Sequence, residues 1–286
     1  MRNGSLLVLF AAMLWGTTGT AQALAPAAAQ PVAVGILRLL LGGLAMLVVV
    51  LASGALPNPL QWPRRALFFA IAGTAAYQLS FFAAVDRTGV AVGTLVGIGS
   101  APIAGGVLGY LIRGERLSPR WFIATALAII GCTLLIGFSS ETAVVDALGV
   151  LLAVGAGVAY AVYTIASKAL LDRYPPDAVI AVVFLLGSLL LLPLLLTVNL
   201  AWVGELNGLL VVLHLGLITA ALAYRLFSRG LQLIPASTAV TLTLAEPLTA
   251  AFLGVLVLGE VLTLPALFGA ALLFVGLGIL TRASTE

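Results

Sequence analysis

The chain has 286 residues, 62% of them hydrophobic and only 8% charged, with a mean hydropathy of +1.22. A water-soluble domain carries about 25% charged residues, so this composition excludes a soluble globular fold. The sequence pI of about 9.4 raises nucleic acid as a partner, which the placement of the basic residues answers below.

Apolar stretches of the length a membrane-crossing helix needs, about 20 residues, lie near 4–24, 32–53, 65–86, 88–112 and 119–138. Five more lie near 147–168, 177–198, 207–228, 235–258 and 264–281. None shows the period-two alternation of a membrane β-barrel strand; the run from Leu185 to Leu196 is apolar throughout. The expected fold is an all-α membrane protein of ten transmembrane helices.

In chain order, the first stretch follows Arg2 and ends at Ala21-Gln22-Ala23, which looks like a signal-peptide pattern. It carries Trp15, Thr18, Gly19 and Gln22 at i, i+3, i+4 and i+7, one face of a helix. The second holds Arg38, and the third repeats the helical spacing with Thr74, Tyr77, Gln78 and Phe81. The fourth has Gly93-x-x-x-Gly97, Gly105-x-x-x-Gly109 and Ala101-Pro102; small residues at that spacing let helix backbones approach closely. The fifth contains Cys132, the only cysteine, so no disulfide framework exists. The sixth carries Tyr160, Tyr163, Thr164 and Ser167. His214, in the eighth, is read as a satisfied polar group, and the ninth contains Glu246-Pro247. Lys168, Arg225 and Arg229 lie close enough to helix ends to snorkel.

The second half repeats the first at an offset of 145 residues without a gap. Pro31 matches Pro176, Gly42 matches Gly187, and Thr74-Ala75-Ala76 matches Thr219-Ala220-Ala221. Pro102 matches Pro247, Gly114-Glu115 matches Gly259-Glu260, and Gly131 matches Gly276. A unit with an odd number of spans enters the membrane from the opposite side on its second occurrence. The expectation is therefore two inverted five-helix repeats, residues 1–138 and 146–286, an architecture typical of transporters. The first stretch has its counterpart in the sixth, which argues that it is retained and not cleaved.

Eleven of the thirteen Lys and Arg residues fall in connections on the N-terminal side of the membrane; Arg87 alone lies on the other side, and Arg38 is within a helix. That bias places both termini in the cytoplasm of a multi-pass inner-membrane protein. The basic residues orient the chain, with lipid as partner, and are no nucleic-acid footprint.

Trp15, Tyr77 and Tyr160 lie about 11–13 residues into their helices, or ~16–20 Å, near the bilayer midplane. Aromatic residues at that depth, beside hydroxyl and amide groups, fit a central cavity better than an interfacial belt. The expected substrate-binding residues are Trp15, Thr18, Arg38, Tyr77, Gln78, Phe81, Tyr160, Tyr163 and Glu246. Arg38 and Glu246 are ionisable residues deep in the membrane, which default to function. Pro102 and Pro247 remove a backbone donor at matched mid-depth positions, so both helices are expected to kink or break there and act as hinges. One histidine and one cysteine make no zinc site of the usual kind. With no nucleophile–base pair or carboxylate dyad in reach, the chain is read as neither an enzyme nor a cofactor protein.

Ten helices in two repeats, with Gly114-Glu115-Arg116-Leu117-Ser118 and Gly259-Glu260-Val261-Leu262-Thr263 closing the fourth and ninth helices, resemble the EamA family of the drug/metabolite transporter superfamily. Trp15-Gly16, Arg38 and Glu246-Pro247 fit the same pattern, and the overall likeness within that family is to its aromatic-amino-acid exporters. The resemblance implies export of amino acids or similar small metabolites. Phosphorylated substrates need convergent cations, and Arg38 is the only deep one. The reading is a carrier exporting small neutral or zwitterionic solutes, chiefly amino acids with aromatic or apolar side chains, by alternating access. An exporter of other small apolar metabolites or drugs and a pore-type channel are the alternatives, and proton coupling through Glu246 and facilitated efflux both stay open.

Overall fold

A computed structural model describes residues 2–54, 61–137 and 146–283. Among these there is no β-strand, and ten helical segments are long and apolar enough to cross a membrane. They are α1 (Asn3–Ala23), α2 (Pro31–Ala52), α3 (Arg64–Gly89), α4 (Val92–Arg113), α5 (Pro119–Ile136), α6 (Ala147–Leu171), α7 (Pro176–Thr197), α8 (Leu206–Leu233), α9 (Ala236–Leu258) and α10 (Leu264–Thr281). Helices satisfy every backbone group within the segment, as a span in hydrocarbon must. Large apolar side chains point outward, among them Phe68 (64% exposed) and Phe274 (74% exposed), as a lipid-facing surface requires. The expected link between the halves around Glu141, and the outer ends of both repeats, fall outside the described residues.

The repeated residues are explained by what they do to the backbone. Pro31 and Pro176 stand at the first turns of α2 and α7, where a missing N–H costs nothing. Gly114 and Gly259 end α4 and α9 in the left-handed conformation, at φ 65° and 73°, a position that favours glycine. Gly89 joins α3 to α4 at φ 79°, ψ 164°, a region open essentially to glycine alone.

The packing pairs span the two halves: α1 with α8 and α9, α6 with α3 and α4, α2 with α7, and α5 with α10. Every pair has its counterpart when each helix is exchanged for the one five places away. The α5–α10 contact fixes the direction. A Cβ at Gly131 would meet Gly269 O and Leu273 N at 2.6 Å, and one at Gly276 would meet Ala124 O at 2.8 Å and Ala128 N at 3.0 Å. Gly269 and Leu273 are the repeat partners of Ala124 and Ala128, so the contact is reciprocal about a twofold. Gly131 faces residues before its own counterpart, and Gly276 does the same. Such a register runs α5 and α10 antiparallel, the relation an inverted repeat requires.

Two local departures matter for the interior. α8 winds as a π-helix over His214–Leu222, and α9 passes through a 3₁₀ turn at Thr243–Ala245 immediately before Glu246-Pro247. The expected break at Pro102 is not a break, because helical dihedrals continue through it and Gly89 is the only departure from Arg64 to Arg113.

Candidate functional site

A cavity of about 270 Å³ lies between the halves. Trp15, Thr18 and Gln22 of α1, Arg38 of α2, and Tyr77, Gln78 and Phe81 of α3 line it. Ile98 and Ala101 of α4, Tyr160 of α6, Tyr224 of α8 and Thr243 and Glu246 of α9 complete the wall. Gln22, Pro31 and Val85 also line it, and these stand at the ends of α1, α2 and α3 opposite the side where α1 begins. The cavity therefore opens on that opposite side. Toward the side of the chain's two ends, here the terminal side, Phe227, Leu231, Leu170 and Ala239 are fully buried and close it off.

The aromatic residues form floor and wall. Trp15 meets Tyr160 edge-on at 6.4 Å and Tyr224 at 4.7 Å, and Phe227 at 5.3 Å lies beneath. Tyr77 and Phe81 stack at 5.6 Å with 15° between their planes. Trp15 is fixed by its indole Nε1, which donates to Thr219 O at 2.9 Å within the π-helical part of α8. Gly16 lets α1 touch α9, since a Cβ there would lie 2.6 Å from Glu246 O. Gln78 Nε2 donates to Gly35 O at 2.8 Å, tying α3 to α2 and orienting its amide.

Arg38 and Glu246 face this one cavity without an ion-pair partner among the described residues, while Arg38 Nε is buried with no hydrogen-bond partner. Ion pairs elsewhere join Arg87 with Asp146 at 3.1 Å, Arg113 with Asp172 at 3.0 Å, and Arg225 with Asp177 through two 2.9 Å contacts. Outside the membrane-spanning segments, the hydrogen bond from Arg87, seconded by the Leu148 and Gly149 amides, holds the Asp146 carboxyl below the usual carboxylate range.

Of the nine expected site residues, eight line the cavity. Tyr163 does not: one turn further along α6, it borders an adjoining void of about 10 Å³, room for about one water, which shares Arg38, Tyr77, Gln78, Tyr160 and Tyr224 with the cavity, and it packs on Tyr224 at 6.0 Å. His214 bonds Thr17 Oγ1 at 2.8 Å, in keeping with a satisfied polar group. Lys168 does not snorkel, because its Nζ donates to Leu231 O at 2.6 Å and Ile234 O at 2.7 Å, the free carbonyls at the end of α8. Sequence reasoning missed Tyr224 and Phe227. Their signal was a three-residue spacing on α8, masked by Arg225, which makes that turn look interfacial.

The family model described as the EamA-like transporter family matches the chain twice, over residues 2–137 and 147–282. The chain is 48% identical over 279 residues to the uncharacterized transporter YwfM of Bacillus subtilis, covering 98% of this chain and 94% of that protein. It is 32% identical over 149 residues to the threonine/homoserine exporter RhtA of Escherichia coli, covering 51% of this chain and 49% of that one. A crystal structure shares the fold with a TM-score of 0.85 at 22% identity, covering 99% of this chain and 97% of the other.

Proposed function

The chain belongs to the EamA-like transporter family, and from that premise we propose that it is a carrier for zwitterionic amino acids with apolar or aromatic side chains. The chain is a membrane transporter and no enzyme; substrate class and mechanism are the proposal. The observation that carries it is that Arg38 and Glu246 line one cavity, near enough to feel each other's charge yet joined by no salt bridge among the described residues. A charge inside a membrane protein is costly unless something offsets it. A carboxylate opposite Arg38 and an ammonium opposite Glu246 offset both at once. The remaining wall of Trp15, Tyr77, Phe81 and Tyr160 takes the side chain, at about 0.5–1.5 kcal/mol per good ring contact. At about 270 Å³ the cavity lies at the small end of ligand pockets, which run from about 300 to 1,000 Å³, and so suits a small solute.

Two inverted repeats, residues 1–138 and 146–286, would expose this site to each side of the inner membrane in turn, with Pro102 and Pro247 as hinges and both termini in the cytoplasm. The likeness to a threonine/homoserine exporter over half the chain supports export of amino acids. Ligand-induced thermal stabilisation of the purified protein tests the substrate class. L-phenylalanine and L-leucine should stabilise, whereas their N-acetyl and amide derivatives, each lacking one charge, should not. Equal stabilisation by the blocked forms would overturn the reading.

A further inference from the structure

We propose that the polar file Tyr163, Ser167 and Ser228, on the terminal side of the cavity, is the closed half of the transport route, held shut by Lys168 and Glu115. The proposal rests on the carrier reading above. Three observations lead to it.

The seal on the terminal side is not uniformly apolar. Ser167 and Ser228 are 0% and 1% exposed, and their hydroxyls lack a hydrogen-bond partner, as does that of Tyr160. Within the seal Ser167 Oγ lies against the Tyr163 hydroxyl. A buried polar group left without a partner costs about 1–3 kcal/mol. Alanine at both serines would make a cheaper plug. The hydroxyls are explained if another state exposes them to water or to a passing solute.

The repeat says which state that is. Trp15, Thr18, Gly19 and Gln22 line the open cavity, and their counterparts at the 145-residue offset are Tyr160, Tyr163, Thr164 and Ser167. Phe82, which also lines the opening, corresponds to Phe227 in the seal. When the two halves exchange conformations, the α6 residues occupy the position that the α1 residues occupy here.

The corner between α8 and α9 is fastened on both of its arms. Lys168 of α6 binds the last carbonyls of α8, Leu231 O and Ile234 O. The Glu115 carboxylate, just past α4, accepts from Ala236 N at 2.7 Å, Ser237 N at 3.0 Å and Ser237 Oγ at 2.7 Å, the first turn of α9. On the open side the counterpart of Lys168 is Ala23, so the matching corner at Gly89 has no lysine in the equivalent place. The closed corner thus carries a lysine clamp that the open one lacks.

The test is cysteine accessibility in a Cys132→Ala background. Ser167→Cys and Ser228→Cys are each treated with a membrane-impermeant methanethiosulfonate, in inverted membrane vesicles and in intact cells. We expect slow modification from the terminal side only, accelerated about tenfold by Lys168→Met, since a hydrogen bond to a charged group is worth about that factor or more. Glu115→Gln is the second variant, with the same expected direction. Modification that neither variant accelerates, or that proceeds equally from the opposite side, overturns the proposal. Counterflow of L-phenylalanine, L-leucine and L-threonine in proteoliposomes, on the same preparations, reads the carrier function separately. Intact counterflow with unresponsive cysteines sinks the route and spares the carrier; accelerated labelling with no counterflow of any of the three sinks the amino-acid carrier.

Discussion

Replacing Arg38 by methionine separates a binding charge from a structural one. Methionine keeps the length and apolar stem of the side chain and removes the guanidinium. No ion pair among the described residues is broken, and a buried Nε without a partner is removed. An uncompensated buried charge destabilises, so the unliganded variant should melt at or above the wild-type temperature. Binding should move the other way. One lost hydrogen bond between charged groups is worth about 1.5–3 kcal/mol, or roughly 10–150-fold in Kd. At a concentration of about 100 Kd, ligand stabilises the wild type by about 2.7 kcal/mol; the same concentration should stabilise Arg38→Met by only about 0.3–1.4 kcal/mol. The assay is thermal unfolding of purified protein with and without the best-binding amino acid, scanned over concentration. Equal ligand stabilisation in the two proteins would refute the role given to Arg38. A large drop in unliganded stability would show instead that the guanidinium holds the fold.

The remaining predictions address packing, pH and motion. Gly131→Ala should lower stability by about 1–3 kcal/mol through overpacking, because its Cβ would sit 2.6 Å from Gly269 O; Gly278→Ala, with nothing within 4 Å, should not. Thermal unfolding of both variants decides this, and equal effects would contradict the α5–α10 register. The folded-state Asp146 carboxyl is held low by Arg87, so the stability it adds is fully present above its unfolded value, about 3.9. That stability is lost as pH falls through the depressed folded value; melting curves of wild type and Asp146→Asn should differ at neutral pH and converge in acid. Pro102 leaves the Ile98 carbonyl without its helical donor, so Pro102→Ala should slow turnover more than it alters apparent affinity. Flux equal to wild type at matched protein would leave the proline without a role in motion.

The ten spans were legible because hydrocarbon imposes length and apolarity on each, and the repeat followed from Pro31, Gly114 and Gly131, whose backbone roles tolerate few substitutes. The end of α8 was not: the apolar count stops near Arg225 and Arg229, yet the helix runs to Leu233, with Asp177 paired to Arg225 at 2.9 Å and 3.9 Å from Arg229. That longer helix places Tyr224 and Phe227 deeper than the sequence suggested. Side-chain spacing brought Trp15, Tyr77 and Tyr160 to one face each. It could not show that Tyr163 turns behind the cavity, since one α-helical face spans both. The π-helical turn that offers Thr219 O to Trp15 leaves no mark in the sequence at all, and neither does the capping of α9 by Glu115, which depends on two distant helix ends meeting.

Counterflow in proteoliposomes tests the central claim most directly. Vesicles containing the purified protein are loaded with an unlabelled amino acid that stabilises it, then diluted into a trace of the labelled compound. A carrier that alternates one site between two sides takes up label faster than empty vesicles do, overshoots equilibrium, and saturates with internal concentration. Uptake that is indifferent to internal substrate and rises linearly with external concentration would contradict the account and indicate an open pore.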